Sequence, residues 1–148
     1  MDRFIGNIDA KADAKGRVFV PAAFRKILQS SGSSRLILRK DIYQDCLVLF
    51  PESVWNEELD RLSAKLNKYD EEQQQTFRQF VMDSDVLEMD SNGRILISKR
   101  YMQMVQITNE VRFVGMNDTI EIWSRNKLEK PLMDADTFKN NIRKFLGS

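Results

Sequence analysis

The chain has 148 residues, 42% of them apolar and 30% charged, with a net charge of +1, one cysteine and no histidine. That is the composition of a soluble globular protein, and the length suits one compact body or two very small ones sharing a core. Without histidine there is no serine–histidine–acid triad, no cysteine–histidine pair and no imidazole ligand for zinc, so the means of catalysis are few.

In chain order, residues 5–12 read as a strand. Asp13 to Gly16 is turn chemistry: an aspartate able to accept from the backbone ahead of it, then a glycine free to take positive φ. Residues 17–20 alternate at period two and predict the next strand. Pro21 suits the first position of a helix. Phe24, Ile27 and Leu28 fall on one face of it, and Gly32 stops it. Residues 36–40 and 46–50 predict two strands joined by residues 41–45. A longer helix opens at Pro51 and Glu52, with Trp55, Leu59, Leu62 and Leu66 down one side. Asp70 and Gln73 resemble a capping box and start a helix carrying Phe77, Phe80 and Val81. A last helix follows Asp134 or Asp136, with Phe138, Ile142, Phe145 and Leu146 on one face.

The strongest signal is a repeat. Asp13-Ala14-Lys15-Gly16-Arg17-Val18-Phe19-Val20 returns 77 residues later as Asp90-Ser91-Asn92-Gly93-Arg94-Ile95-Leu96-Ile97. Phe24 maps onto Tyr101 at the same offset, and Leu49-Phe50 onto Ile122-Trp123 at an offset of 73. A unit of about fifty residues that recurs at this offset marks a duplication, here strand, turn, strand, short helix, strand, strand. Residues 4–52 form the first unit, 53–82 bridging helices, 83–125 the second unit, and 126–148 a C-terminal helical segment. A unit this small buries little apolar surface alone, so the two are expected to interlock.

Charge is distributed unevenly. Residues 1–40 hold nine Lys/Arg against three acids, a net of +6; residues 41–148 hold fourteen against nineteen, a net of −5. One region can face an anion while the rest keeps the chain near neutral. Lys11, Lys15 and Arg17 alternate and would share a face if the strand were extended; Arg25 and Lys26 follow on the next helix. Alternating cations on a ribbon suit successive phosphates, and an arginine fork can read guanine. The second copy is weaker, with Asn92 in place of Lys15 and Glu88 in place of Lys11. The plainer alternative is a well-made turn, copied once: Asp13 and Asp90 cap it, Gly16 and Gly93 permit it, and Arg17 and Arg94 pair with the aspartates. Cys46, beside Leu47 and Val48, reads as a buried thiol in a reducing cytoplasm. No nucleotide loop, cofactor motif or membrane span appears.

Two Asp-x-x-x-Arg motifs, with Gly16-Arg17-Val18-Phe19-Val20-Pro21, Arg25, the run Cys46 to Pro51 with Trp55, and Gly93-Arg94-Ile95-Leu96-Ile97, resemble the MraZ transcriptional regulators. Each half is similar to the AbrB-type swapped-hairpin DNA-binding domain. The resemblance implies an α+β fold in which two AbrB-like units interlock as a pseudo-dimeric β-barrel of the double-psi or swapped-hairpin type, flanked by helices. It implies a ring-shaped homo-oligomer, associated with the nucleoid, that binds short tandem repeats in double-stranded DNA. Such proteins usually repress a cell-division and cell-wall gene cluster that includes their own gene. Ser98 departs from the proline often found after the second copy. On this reading the first hairpin enters the major groove: Lys15 and Arg17 contact bases and phosphates, Arg3, Arg25 and Lys26 grip the backbone, and Arg94 acts in the second copy. Neither cofactor nor metal is implied. The alternative function is an antitoxin-like protein-interaction module on the same fold.

Overall fold

The computed structural model describes residues 2–32 and 34–147. The strands are β1 (Asn7–Lys11), β2 (Arg17–Phe19), β3 (Arg35–Lys40), β4 (Leu47–Pro51), β5 (Ser84–Glu88), β6 (Arg94–Leu96), β7 (Glu110–Met116) and β8 (Thr119–Ser124). The helices are α1 (Ala22–Ser30), α2 (Glu52–Lys65), α3 (Glu71–Met82), α4 (Lys99–Met104) and α5 (Ala135–Leu146), with one 3-10 turn at Arg125–Leu128.

Six strands form one antiparallel sheet in the order β1-β7-β8-β4-β3-β5, and β2 pairs with β6 in a separate ribbon. Exchanging β1 with β5, β3 with β7 and β4 with β8 turns the sheet order into its own reverse. The duplication in sequence is therefore a pseudo-two-fold in space, with its axis between β4 and β8. Each repeat lends its first strand to the other. β1 lies on β7, Asn7 opposite Val114, and β5 lies on β3, Ser84 opposite Arg39. Among the described residues these strands do not close into a barrel. β2 and β6 are three residues long and bounded by turns and helices, so β2 reaches β1 only through the Ala12–Val18 bridge.

Burial explains the sequence patterns. In β2 only Val18 is buried, and in β6 only Ile95, because one face of the ribbon meets the core and the other meets water. β7 alternates for the same reason, with Val111 and Phe113 inside. Leu36-Ile37-Leu38 and Leu47-Val48-Leu49 are buried without a break because both faces are covered. The cover is the α2–α3 hairpin, whose Trp55 meets Phe50 edge-on at 5.3 Å and stacks on Phe80 at 5.3 Å. Phe4 and Phe24, both from the first repeat, meet edge to face at 5.7 Å in the main core. Burying such a ring contributes about 1.5–3 kcal/mol.

The helix ends follow their sequence signals with small shifts. Pro21 sits one position ahead of α1. The Asp70 carboxylate accepts from the Gln73 N–H at 3.1 Å, but the Gln73 amide does not return the bond; its Oε1 accepts from Asn67 N–H at 2.7 Å. The expected capping box is therefore half-formed. α5 starts at Ala135, with the Asp134 side chain accepting from Thr137 N–H at 2.7 Å. Among the described residues no helix is long and apolar enough to cross a membrane.

Candidate nucleic-acid interface

The two turns are copies down to their hydrogen bonds. Asp13 Oδ1 accepts from the backbone N–H of Lys15 at 2.9 Å and of Arg17 at 3.0 Å, while Oδ2 takes Arg17 Nε at 2.7 Å. Asp90 Oδ1 accepts from the backbone N–H of Asn92 and Arg94, both at 2.9 Å, and its Oδ2 takes Arg94 Nε at 2.9 Å. The Arg17 backbone N–H, its side chain and the Lys15 N–H hold the Asp13 carboxyl below the usual carboxylate range; Arg94 and Asn92 do the same for Asp90. Gly16 and Gly93 stand at φ +91° and +84°, where a side chain would strain the backbone. The turns also lock each other: Ile97 N–H donates to Gly16 O at 2.9 Å, and Val20 N–H to Gly93 O at 3.0 Å.

The guanidinium groups are thus held, not loose. Each is clamped through Nε by its own aspartate, with the Arg17 side chain 38% and the Arg94 side chain 25% exposed. The ribbon is antiparallel, Arg17 opposite Leu96 and Phe19 opposite Arg94, so the two arginines stand at opposite ends of one surface. Between them lie Phe19 and Leu96, 54% and 53% exposed, with Arg94 poised 5.7 Å from the Phe19 ring. These two apolar side chains escape a search for cations. The signal that finds them is period two, because they occupy the outward positions of both copies.

The fold redistributes the other cations. The turn at Asp13–Gly16 interrupts the strand, so Lys11 and Arg17 lie on different strands and do not form one alternating row. Lys11 ends β1 opposite Glu110. Arg3 lies beyond the far end of β1, where its guanidinium bonds Asn117 Oδ1. A five-residue strand, roughly 17 Å, separates it from the first turn. Arg25 reaches across to the other repeat. A Cβ on Gly93 would meet Arg25 Cδ at 2.6 Å, so this side chain lies across the second turn, with Nη1 donating to Val20 O at 3.3 Å. In exchange, Lys99 of α4 lines a depression with Asp13 and Gly16 of the first turn. Lys26 is exposed on α1. Each turn therefore has its own arginine and a cation from the other repeat, a more even arrangement than the order of the sequence suggests.

Cys46 is fully buried and its thiol is pushed up to about 12, by burial first and by nearby Glu121 and Asp41 next. It is no nucleophile.

The family model described as "MraZ protein, putative antitoxin-like" matches residues 4–78 and 80–143. The transcriptional regulator MraZ of Bacteroides fragilis is 57% identical over 138 residues, covering 93% of this chain and 87% of the relative. That of Phocaeicola vulgatus is 52% identical, covering 99% and 95%. That of Christiangramia forsetii is 31% identical, covering 100% and 96%. With the family model matched along nearly its whole length and relatives 52% and 57% identical over most of it, the chain belongs to the MraZ family.

Proposed function

We propose that the outward face of the β2–β6 ribbon binds double-stranded DNA and that the protein acts through it as a transcriptional regulator. The observation that carries this reading is the pair of aspartate-clamped arginines at opposite ends of one exposed ribbon. A clamped guanidinium has lost its rotamer freedom before binding, so less entropy remains to be lost at the DNA. A two-stranded ribbon fits the major groove, where an arginine fork reads guanine. Arg17 and Arg94 are the base-reading candidates. Lys11, Lys15, Arg25 and Lys26 serve the phosphates, with Lys99 added by the structure, and Arg3 serves a strand passing the far end of β1. Asp13, Asp90, Gly16 and Gly93 are the structural frame of the turns.

One ribbon offers few cations. The reading therefore includes assembly into a ring whose ribbons meet short tandem repeats, so that weak contacts multiply through effective concentration. The mutual loan of first strands supports a swapped-hairpin ancestry for the sheet. The relatives' names support regulation of transcription, and we extend this to repression of a cell-division and cell-wall cluster containing the protein's own gene, at the nucleoid. The test is anisotropy with operator-region DNA across a salt series, on wild type and Arg17→Ala. Affinity should fall with salt in proportion to the phosphates neutralised, and loss of Arg17 should cost about 1–3 kcal/mol. Salt-independent binding, or a folded Arg17→Ala with unchanged affinity, refutes the ribbon.

The words "antitoxin-like" in the family description favour a second reading, a surface that sequesters a toxin protein. Such modules rely on a loose tail, whereas here the tail forms the capped helix α5. Limited proteolysis that trims residues 129–147 at once, with no protection on assembly, would favour the second reading.

A further inference from the structure

We propose that α5 of one protomer docks antiparallel to α3 in the α2–α3 groove of a second copy, and that this head-to-tail contact is what joins the subunits. The inference rests on the self-assembly just described and names its surface.

Among the described residues no other helix or strand packs extensively on this helix. Phe138, Ile142, Phe145 and Leu146, at i, i+4, i+7 and i+8, are 57%, 44%, 74% and 80% exposed. A helix of 12 residues is marginal in water without packing on an apolar face. The pattern is the anchor spacing of a helix that lies in a groove, and it does not suit the phosphates of DNA. Basic residues Arg143 and Lys144 stand in its last turn, with Asp134 and Asp136 at its start.

The groove is on the same molecule. Between α2, α3 and the end of β3 lies a cavity of about 760 Å³, with Ile42, Leu62, Phe80 and Met104 among its lining. It continues past Thr76 and Gln79 along α3 to Glu71 and Glu72. α3 has the same 12 residues as α5, so each spans about 18 Å. Laid antiparallel, Arg143 and Lys144 reach the acidic end at Glu71 and Glu72, whose lining holds no cation among the described residues; Arg39, Lys40, Arg61 and Lys65 line the rest of the groove. Asp134 and Asp136 reach the opposite end, at Arg39. That guanidinium is 8% exposed, rests 4.1 Å over the Phe80 ring and takes part in none of the ion pairs among the described residues. Burial pulls its pKa down against the opposing pull of Asp83 and Asp41, and a carboxylate from a neighbour would add to theirs. Helix and groove are different surfaces, so the contact is heterologous. Repeated around an axis, it closes a ring.

The experiment pairs light scattering with disulfide trapping. Asn141→Cys and Thr76→Cys are introduced singly and together, which leaves the four anchors and the charges in place; native Cys46 is buried and does not compete. The double variant should give a reducible ladder of covalent multimers, and a mixture of the two single variants should stop at the dimer. Charge reversal at Glu71 and Glu72, or at Arg143 and Lys144, should lower the assembly mass, and the two reversals combined should restore it. An intrachain disulfide alone overturns the proposal. So does an assembly of unchanged mass that neither cross-links nor responds to charge reversal, though self-assembly itself would then stand. A wild-type chain that remains monomeric overturns both.

Discussion

Gly16 and Gly93 are equivalent by sequence and by φ, yet replacing each with alanine has different consequences. Both variants place a side chain in left-handed backbone, at about 1–2 kcal/mol. At Gly16 the new Cβ would lie 2.2 Å from Ile97 O, a backbone atom. Strand β6 must then retreat and loosen the Ile97 N–H to Gly16 O bond at 2.9 Å, a further loss of about 0.5–1.5 kcal/mol. At Gly93 the three atoms nearest the Cβ all belong to the Arg25 side chain, the first at 2.6 Å, and that chain can swing away. Gly16→Ala should therefore cost about 1.5–3.5 kcal/mol, which at this chain length lowers Tm by roughly 3–14 °C. Gly93→Ala should cost about 1–2 kcal/mol and evict Arg25. Urea titration and differential scanning calorimetry measure both. In anisotropy, Gly93→Ala should weaken DNA binding at a temperature where it is fully folded. Equal destabilisation by the two substitutions, or the greater loss at Gly93, would refute the claim that the fold makes the turns unequal.

Cys46 should resist alkylation at pH 8 in the folded protein and react roughly a thousandfold faster in denaturant, as expected for a thiol pushed up to about 12; mass spectrometry after timed quenching decides. The depressed carboxyls of Asp13 and Asp90 stabilise the fold fully above the unfolded aspartate pKa of about 3.9, and that contribution is lost as pH falls through their lower native values. The acid shoulder of the unfolding curve should shrink in Asp13→Asn with Asp90→Asn, and an unchanged shoulder would show the turns to be irrelevant. Cut between residues 82 and 83, neither fragment should fold alone, because β1 has lost β7, β2 has lost β6 and β4 has lost β8. Mixing the fragments should restore the far-ultraviolet spectrum.

Much of this was legible in the sequence for a physical reason. Turns are local, so Asp13 to Arg17 and Asp90 to Arg94 announce their geometry through their own side chains, and the repeat announces that it occurs twice. Helix starts at Asp70 and Asp134 were legible for the same reason. What escaped was set by contacts between distant segments. Arg25 belongs to the first repeat in sequence and to the second turn in space. Lys99 is the reverse. The unbroken burial of Leu36-Ile37-Leu38 reflects the α2–α3 cover on the far face of the sheet, which no window of a few residues contains. Arg3 is near the first hairpin in sequence, and the extended β1 carries it to the opposite end.

The exchange of cations bears on how a near-neutral chain can present a basic surface. Had each repeat folded on itself, the first turn would have gathered Lys15, Arg17, Arg25 and Lys26, and the second only Arg94, Lys99 and Arg100. One strong and one weak site would then have met the duplex, and the weak one would have added little. Because α1 crosses to the second turn and α4 to the first, Arg25 sits on Gly93 and Lys99 beside Gly16. Both ends of the ribbon then carry an aspartate-clamped arginine and a donated cation. Two matched ends, each of modest strength, gain more from simultaneous contact than one strong end, since the second contact is made at the effective concentration set by a rigid ribbon. The acidic excess lies elsewhere: α2 and α3 together carry six acids against three basic residues. That places the negative charge on the helices that line the groove, away from the ribbon and toward the basic last turn of α5.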